Sequence, residues 1–296
     1  EKAATARQFL LPKLIKEIGL ETVKIELRDD GIFEIIRYYT RESGVRELER
    51  MLGSMLRKIA VPLAEGRRTR RAVINRARVH KLLGQRKYID TNIKGQPTVG
   101  YSVALAWTEV GGEVMPVEVV PMKGKATLTL TGSLGDVMRE SAMAAMSFIR
   151  KHAKRYGLDE NFFEKTEVHV HIPEGAVPKD GPSAGITLTT ALLSSLTGIP
   201  VRTDIAMTGE ITLTGDVLPV GGLNEKLLAA KRLGITEVIL PARNQKHVLE
   251  LQPELLKGLK LHYVRTIEEV LKLALTRSPY VNARKRAGNR PSAGVH

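Results

Sequence analysis

Hydrophobic and polar residues repeat with one period in the first third of this chain and with another in the rest. The early repeat is helical. Residues 5–18 place Phe9, Leu10, Leu14 and Ile18 near one face, with Gly19 as the stop. Residues 30–39 and 43–64 repeat the pattern, the second with Ser43 as its cap and Arg46 and Glu47 in its first turns. A short strand over 72–74 and a helix to Leu83 follow, so residues 1–88 read as a mainly α unit. Residues 89–99 lose periodicity and collect Gly and Pro, which marks a linker.

From Gly100 the texture becomes β-branched and alternating. Strands are expected over 103–106, 114–120 and 126–131, with Gly111-Gly112 as the turn between the first two. A helix over 133–152, a strand over 167–172, a helix over 183–197 and strands with turns over 205–220 come next. A helix at 223–233, a strand at 237–240, a helix near 246–251, a strand at 261–264 and a helix at 267–275 complete a mixed α/β domain over 100–276. Residues 277–296 are polar and basic with nothing to pack, so they are expected to be a disordered tail.

Composition then narrows the chemistry. Cysteine is absent from the 296 residues, which removes disulfides, thiolate zinc sites and cysteine nucleophiles. No apolar run is long enough for a membrane span. The chain opens EKAATARQF with no initiator Met or apolar leader, and reads as a mature protein or a fragment of a longer one. The net charge of +14 is local: nine Lys/Arg stand between Ala64 and Tyr88 against Glu65 alone, and the tail from Arg277 carries five with no acid. Such a segment, Arg67 to Lys87, contacts nucleic acid in some proteins and is a solvated face in most.

The sharpest local signal is PEGAVPKDGPSAG, which runs into a helix at Ser183. A serine there is either a helix cap or a nucleophile beside backbone N–H groups that can hold an oxyanion. A nucleophile needs a base. His169 and His171 share one face of a strand, but no carboxylate stands at a metal-ligand spacing, and no metal is expected. A phosphate loop is excluded at this stretch, which lacks Gly-Lys-Ser/Thr and carries Pro182 where an N–H would be used. The better base is Lys226, in the apolar stripe Leu223, Leu227, Ala230 of a helix's first turn. Burial and the positive helix end both disfavour its charge, as a lysine general base requires.

PKDGPSAG, MTGEITLTGDVLPVGGLNEK and LTLTGSLGDVMRESA resemble the proteolytic domain of the Lon family of AAA+ ATP-dependent proteases. FLLPKLIKEIGL and YYTRESGVRELER resemble the small helical lid subdomain of its ATPase module. The resemblance implies two domains, an α-helical lid and a mixed α/β protease, with a Ser183–Lys226 dyad and an oxyanion site that includes the Ser183 N–H. It implies that Thr208 orients the lysine, that Asp180 and Glu118 organise the site, and that Arg46 is the sensor-2 arginine touching nucleotide phosphate. It further implies a bacterial cytoplasmic homo-hexameric ring that degrades unfolded or damaged protein with ATP and Mg2+. The Walker motifs are missing from these residues, so the large ATPase subdomain is read as removed, and cleavage of peptides and unfolded chains is expected to need no cofactor. The alternative is a non-catalytic Lon-like module for DNA binding or oligomerisation, favoured by the basic segment.

Overall fold

A computed structural model describes residues 2–42, 44–66, 70–88, 93, 95–108, 111–173 and 179–280, which divide near residue 90 into two compact units. The first opens with α1 (Lys2–Thr5), a π-helical stretch over Ala6–Leu10, and α2 (Leu11–Ile18), which stops at Gly19. The wide π turn shifts the phase of the apolar stripe. Ala6, Leu10, Leu11 and Leu14 are therefore buried, while Phe9, expected in the stripe, is 66% exposed.

Strand β1 (Lys24–Leu27) follows, then α3 (Asp29–Tyr38), α4 (Arg46–Ala64), β2 (Arg71–Ile74) and α5 (Arg76–Leu83). β1 was not expected: KIEL is too short to show a period, and it exists because it pairs in parallel with β2, Lys24 opposite Arg71 and Leu27 opposite Ile74. The cap expected at Ser43 lies outside the described residues. The Glu42 carboxylate serves the start of α4, accepting the N–H groups of Glu47 and Leu48 at 2.8 Å each. Ile32, Ile35, Leu48, Leu52, Met55, Leu56 and Ile74 form the centre of this unit's core.

The second unit is a seven-stranded mixed sheet in the order β11-β10-β7-β3-β4-β6-β5. Its elements are β3 (Tyr101–Thr108), β4 (Gly111–Lys123), β5 (Thr127–Thr131), α6 (Asp136–Lys151), β6 (Thr166–His171), α7 (Gly185–Thr197) and β7 (Ile205–Met207). After them come the small hairpin β8 (Glu210–Ile211) and β9 (Val217–Leu218), α8 (Leu223–Arg232), β10 (Glu237–Pro241), α9 (Gln245–Leu249), α10 (Pro253–Leu256), β11 (Lys260–Val264) and α11 (Ile267–Ala274). β7 pairs in parallel with β3 and β10, and β4 with β6 antiparallel. Gly111 and Gly112, expected to form a turn, open strand β4 instead. Within the stretch expected as linker, Thr98 is bridged to Val201 by N–H···O bonds of 3.1 and 3.0 Å. Of the tail expected to be disordered, residues 281–296 lie outside the described residues.

Strand alternation divides the core in two. Tyr101, Val103 and Leu105 of β3 pack with Leu223, Leu227 and Ala230 of α8 on one face of the sheet. Ala104 packs with α6, α7 and α11 on the other. α7 is buried on every side from Gly185 to Ser194, so its hydroxyls need partners inside. Thr189 and Thr190 donate to the carbonyls four residues back at 2.8 and 2.7 Å, and Thr187 donates to Met207 O at 3.3 Å.

Candidate active site

Two helices from opposite layers begin at the carboxyl end of one strand. β7 ends at Met207, and the next residue, Thr208, donates its N–H to Ile239 O at 3.1 Å. α7 starts in one layer and α8 in the other, an arrangement that puts a crevice beyond the strand ends.

Ser183 sits in a 3-10 turn, Pro182–Ala184, that leads into α7. The N-cap positions are Gly181 and Ala184, and no side chain caps either helix start. The plain cap reading of Ser183 therefore fails. Its carbonyl is clamped instead, accepting from Gly209 N–H at 2.8 Å and from Thr208 Oγ1 at 3.2 Å. Gly209 O in turn accepts Ile186 N–H at 3.1 Å, so the start of α7 is tied to the segment after β7 from both directions. The Ser183 hydroxyl has no hydrogen-bond partner among the described residues and lines the crevice.

Lys226 is 3% exposed in the first turn of α8, with its N–H on Gly222 O at 3.0 Å. Its Nζ donates to Thr208 Oγ1 at 3.1 Å. Burial pushes the ammonium down from 10.5 to about 8, because the charged form loses its water. Thr208, fully buried, thus takes a bond from the lysine and gives one to the backbone of the serine. No direct hydrogen bond joins Ser183 Oγ and Lys226 Nζ; both side chains line one cleft of about 490 Å³.

Asp180 stands on the cleft wall but is committed elsewhere. Its Oδ1 accepts the N–H groups of Met138 at 3.0 Å and Gly181 at 2.8 Å, capping α6 from outside that helix. The approach requires glycine at 135, where a Cβ would come within 2.3 Å of the Asp180 carboxyl carbon.

Residues 73–277 match the family model of the Lon protease (S16) C-terminal proteolytic domain, and residues 16–72 that of the Lon protease AAA+ ATPase lid domain. The chain belongs to the Lon protease family. It is similar to the Lon proteases of Aquifex aeolicus, 55% identical over 280 residues, and of Solibacter usitatus, 51% identical over 283 residues. Each alignment covers 94% of this chain and 35% of the relative, so the chain spans about a third of the length of the curated relatives it matches. The proteolytic match begins at residue 73, inside the first compact unit, so sequence family and compactness divide the chain differently.

The other residues implied by the Lon resemblance are not among the described residues that line this cleft. Glu118, half-buried in β4, stands opposite His171 of β6, and among the described residues it does not line the cleft. His169 Nε2 and His171 Nδ1 both bond the Thr131 hydroxyl, at 2.8 and 2.7 Å. Among the described residues no group of three or more His, Asp or Glu side chains is placed to hold a metal ion. Arg46, in the first unit, is exposed at the start of α4 with no partner among the described residues.

The basic segment is partly neutralised within its own unit. Arg71 pairs with Glu26, while Arg76 and Arg86 reach the buried Glu34 carboxylate at 3.3 and 2.7 Å. Arg86 also lies 3.7 Å over the Tyr38 ring. Arg67 and Arg68 lie outside the described residues. No helix among the described residues is long and apolar enough to cross a membrane. Two cleft residues had no distinguishing sequence signal: Trp107, at the end of β3, and Glu225, beside the lysine. A tryptophan ending a strand looks like core, yet Trp107 is 56% exposed.

Proposed function

We propose that this chain is the peptide-cutting part of an ATP-dependent Lon protease, a serine endopeptidase in which Ser183 is the nucleophile and Lys226 the general base. The observation that carries the reading is the buried lysine, its ammonium pushed down to about 8 by burial, held by Thr208 in the same cleft as a serine with an uncommitted hydroxyl. Neutral Lys226 takes the Ser183 proton as Oγ attacks the substrate carbonyl. Proton transfer requires Oγ and Nζ to come within hydrogen-bond reach, the tightening expected when a substrate enters. The Ser183 N–H, at the start of the 3-10 turn, faces the developing oxyanion. The lysine then protonates the leaving amine, and water drawn through the same base releases the acyl group.

Thr208 keeps the amine pointed at the cleft, and Asp180 fixes the serine loop against α6. Glu118 supports the sheet beside His171. In the whole protein, ATP and Mg2+ would drive the unfolding of substrates inside a homo-hexameric ring in the bacterial cytoplasm. Arg46, exposed and without a partner among the described residues, is the residue proposed to contact a nucleotide phosphate, and no step of peptide hydrolysis uses it. Unfolded protein and short peptides are the substrates this chain takes without ATP hydrolysis. The DNA-binding alternative has less support, since three arginines of its basic segment are already paired.

The test is hydrolysis of an unfolded protein and a fluorogenic peptide without nucleotide, by the native chain, Ser183→Ala and Lys226→Ala. Cutting by the native chain alone, with both variants folded, supports the dyad. Equal cutting by all three, or none by any together with no covalent capture of a peptide boronate, refutes it.

A further inference from the structure

The cleft carries an unspent charge. Among its lining residues Asp180 is occupied by two backbone N–H groups, and Lys226 is buried against Thr208. Glu225, half-exposed on the rim, has no hydrogen bond or ion pair among the described residues. Its ordinary explanation would be a capping box. With Gly222 as N-cap of α8, Glu225 is the third helical residue, the position from which a glutamate reaches back to the cap N–H. That bond is not made, and Glu225 is among the residues that line the cleft.

The same cleft has an apolar part. Trp107 packs on Gly222, whose φ of +66° and missing Cβ the contact requires, since a Cβ there would come within 2.7 Å of the tryptophan. The indole stays 56% exposed beside Pro219 and Val220. A large uncovered ring and a free carboxylate on one cleft are complementary to a side chain pair, one apolar and one cationic.

Resting on the peptidase reading above, we infer that Glu225 and Trp107 select the sequence that is cut: an apolar residue laid against Trp107 with a lysine or arginine beside it along the extended substrate. Glu225 is a specificity-determining residue in this account. It attracts the flanking cation and repels a flanking acid, and it takes no part in proton transfer.

Trp107 is the sole tryptophan in the chain, so its fluorescence reports occupancy of this cleft without any cleavage. The experiment titrates the Ser183→Ala chain with three peptides sharing one apolar core and differing only in flanking Arg, Gln or Glu. The Arg peptide is expected to bind about three- to tenfold more tightly than the Glu peptide at low salt, with the gap shrinking at high salt. Adding Glu225→Gln should bring the three within about twofold, and Glu225→Lys should reverse the order. Equal binding by all three peptides overturns the inference, as does a preference that survives in Glu225→Gln. In the Ser183 background, kcat/KM on the same peptides should change in ratio. A uniform change with a displaced pH profile would mean that Glu225 acts on Lys226, and would also overturn it. If the peptides bind in the expected order yet the native chain neither cuts them nor is captured by a peptide boronate, the peptidase reading fails while the binding preference stands.

Discussion

Replacing Lys226 by methionine should make the protease unit more stable at neutral pH while abolishing cleavage. The lysine side chain is 3% exposed, and burial lowers its ammonium from 10.5 to about 8. At pH 7 the group is protonated in both folded and unfolded chains, so the fold carries the full cost of the buried charge. At 1.36 kcal/mol per pKa unit that cost is about 3 kcal/mol. Methionine fills a similar volume without charge but gives up the bond to Thr208, a loss of about 1 kcal/mol. The net expectation is a gain of about 2 kcal/mol at pH 7. The sign of the pH dependence follows from proton counting. Between about 8 and 10.5 the unfolded chain holds the proton that the folded one has lost, so wild-type stability rises with pH. By pH 10 the cost has fallen below about 1 kcal/mol and the two proteins should be nearly equal. Urea unfolding followed by Trp107 fluorescence reads the right unit, because the chain holds one tryptophan and two compact units. A variant less stable than wild type at pH 7, or a gap unchanged at pH 10, would refute the buried-base argument. The same protonation should appear in the rate: kcat/KM rises with pH and levels above about 8, with about a tenth of the lysine neutral at pH 7.

Thr208→Val should lower kcat about tenfold or more, while Thr208→Ser keeps most of it, because only the hydroxyl holds Lys226 Nζ; peptide kinetics across pH separate the two. Asp180→Ala frees the Met138 N–H and should cost about 1 kcal/mol in urea unfolding, with a larger loss in kcat as the serine loop leaves α6. In the helical unit, Glu34→Gln removes the buried carboxylate shared by Arg76, Arg86 and His80; both arginines remain solvent-accessible, so the expected loss is about 1–2 kcal/mol, seen as an earlier loss of helical circular dichroism.

What could be read from the chain and what could not divide along a physical line. Long periodic segments were legible: α4, α6, α7 and α8 fall where their apolar spacing places them, within the few residues by which helix ends vary. Features made by tertiary contact were not. β1 has no period of its own and exists through β2, and Phe9 leaves its stripe because a π turn intervenes. The site shows the same division. Lys226 could be singled out because a lysine in an apolar stripe is a local anomaly, and Ser183 because proline and glycine flank it. Thr208, an ordinary strand-end threonine in sequence, becomes the joint of the cleft only through distance: it is 18 residues from Lys226 and 25 from Ser183, yet bonds both.

That joint also bears on how the serine and lysine stay matched. Lys226 and Ser183 belong to helices in opposite layers, so movement of either helix would separate them. Both are referred to the same two residues after β7, the lysine to Thr208 Oγ1 and the Ser183 carbonyl to Thr208 Oγ1 and Gly209 N–H. β7 is held on both sides by parallel neighbours, so its end is a supported reference for both helices. A strand end with two helix starts hung from it would keep the proposed nucleophile and base in register without a direct bond between them.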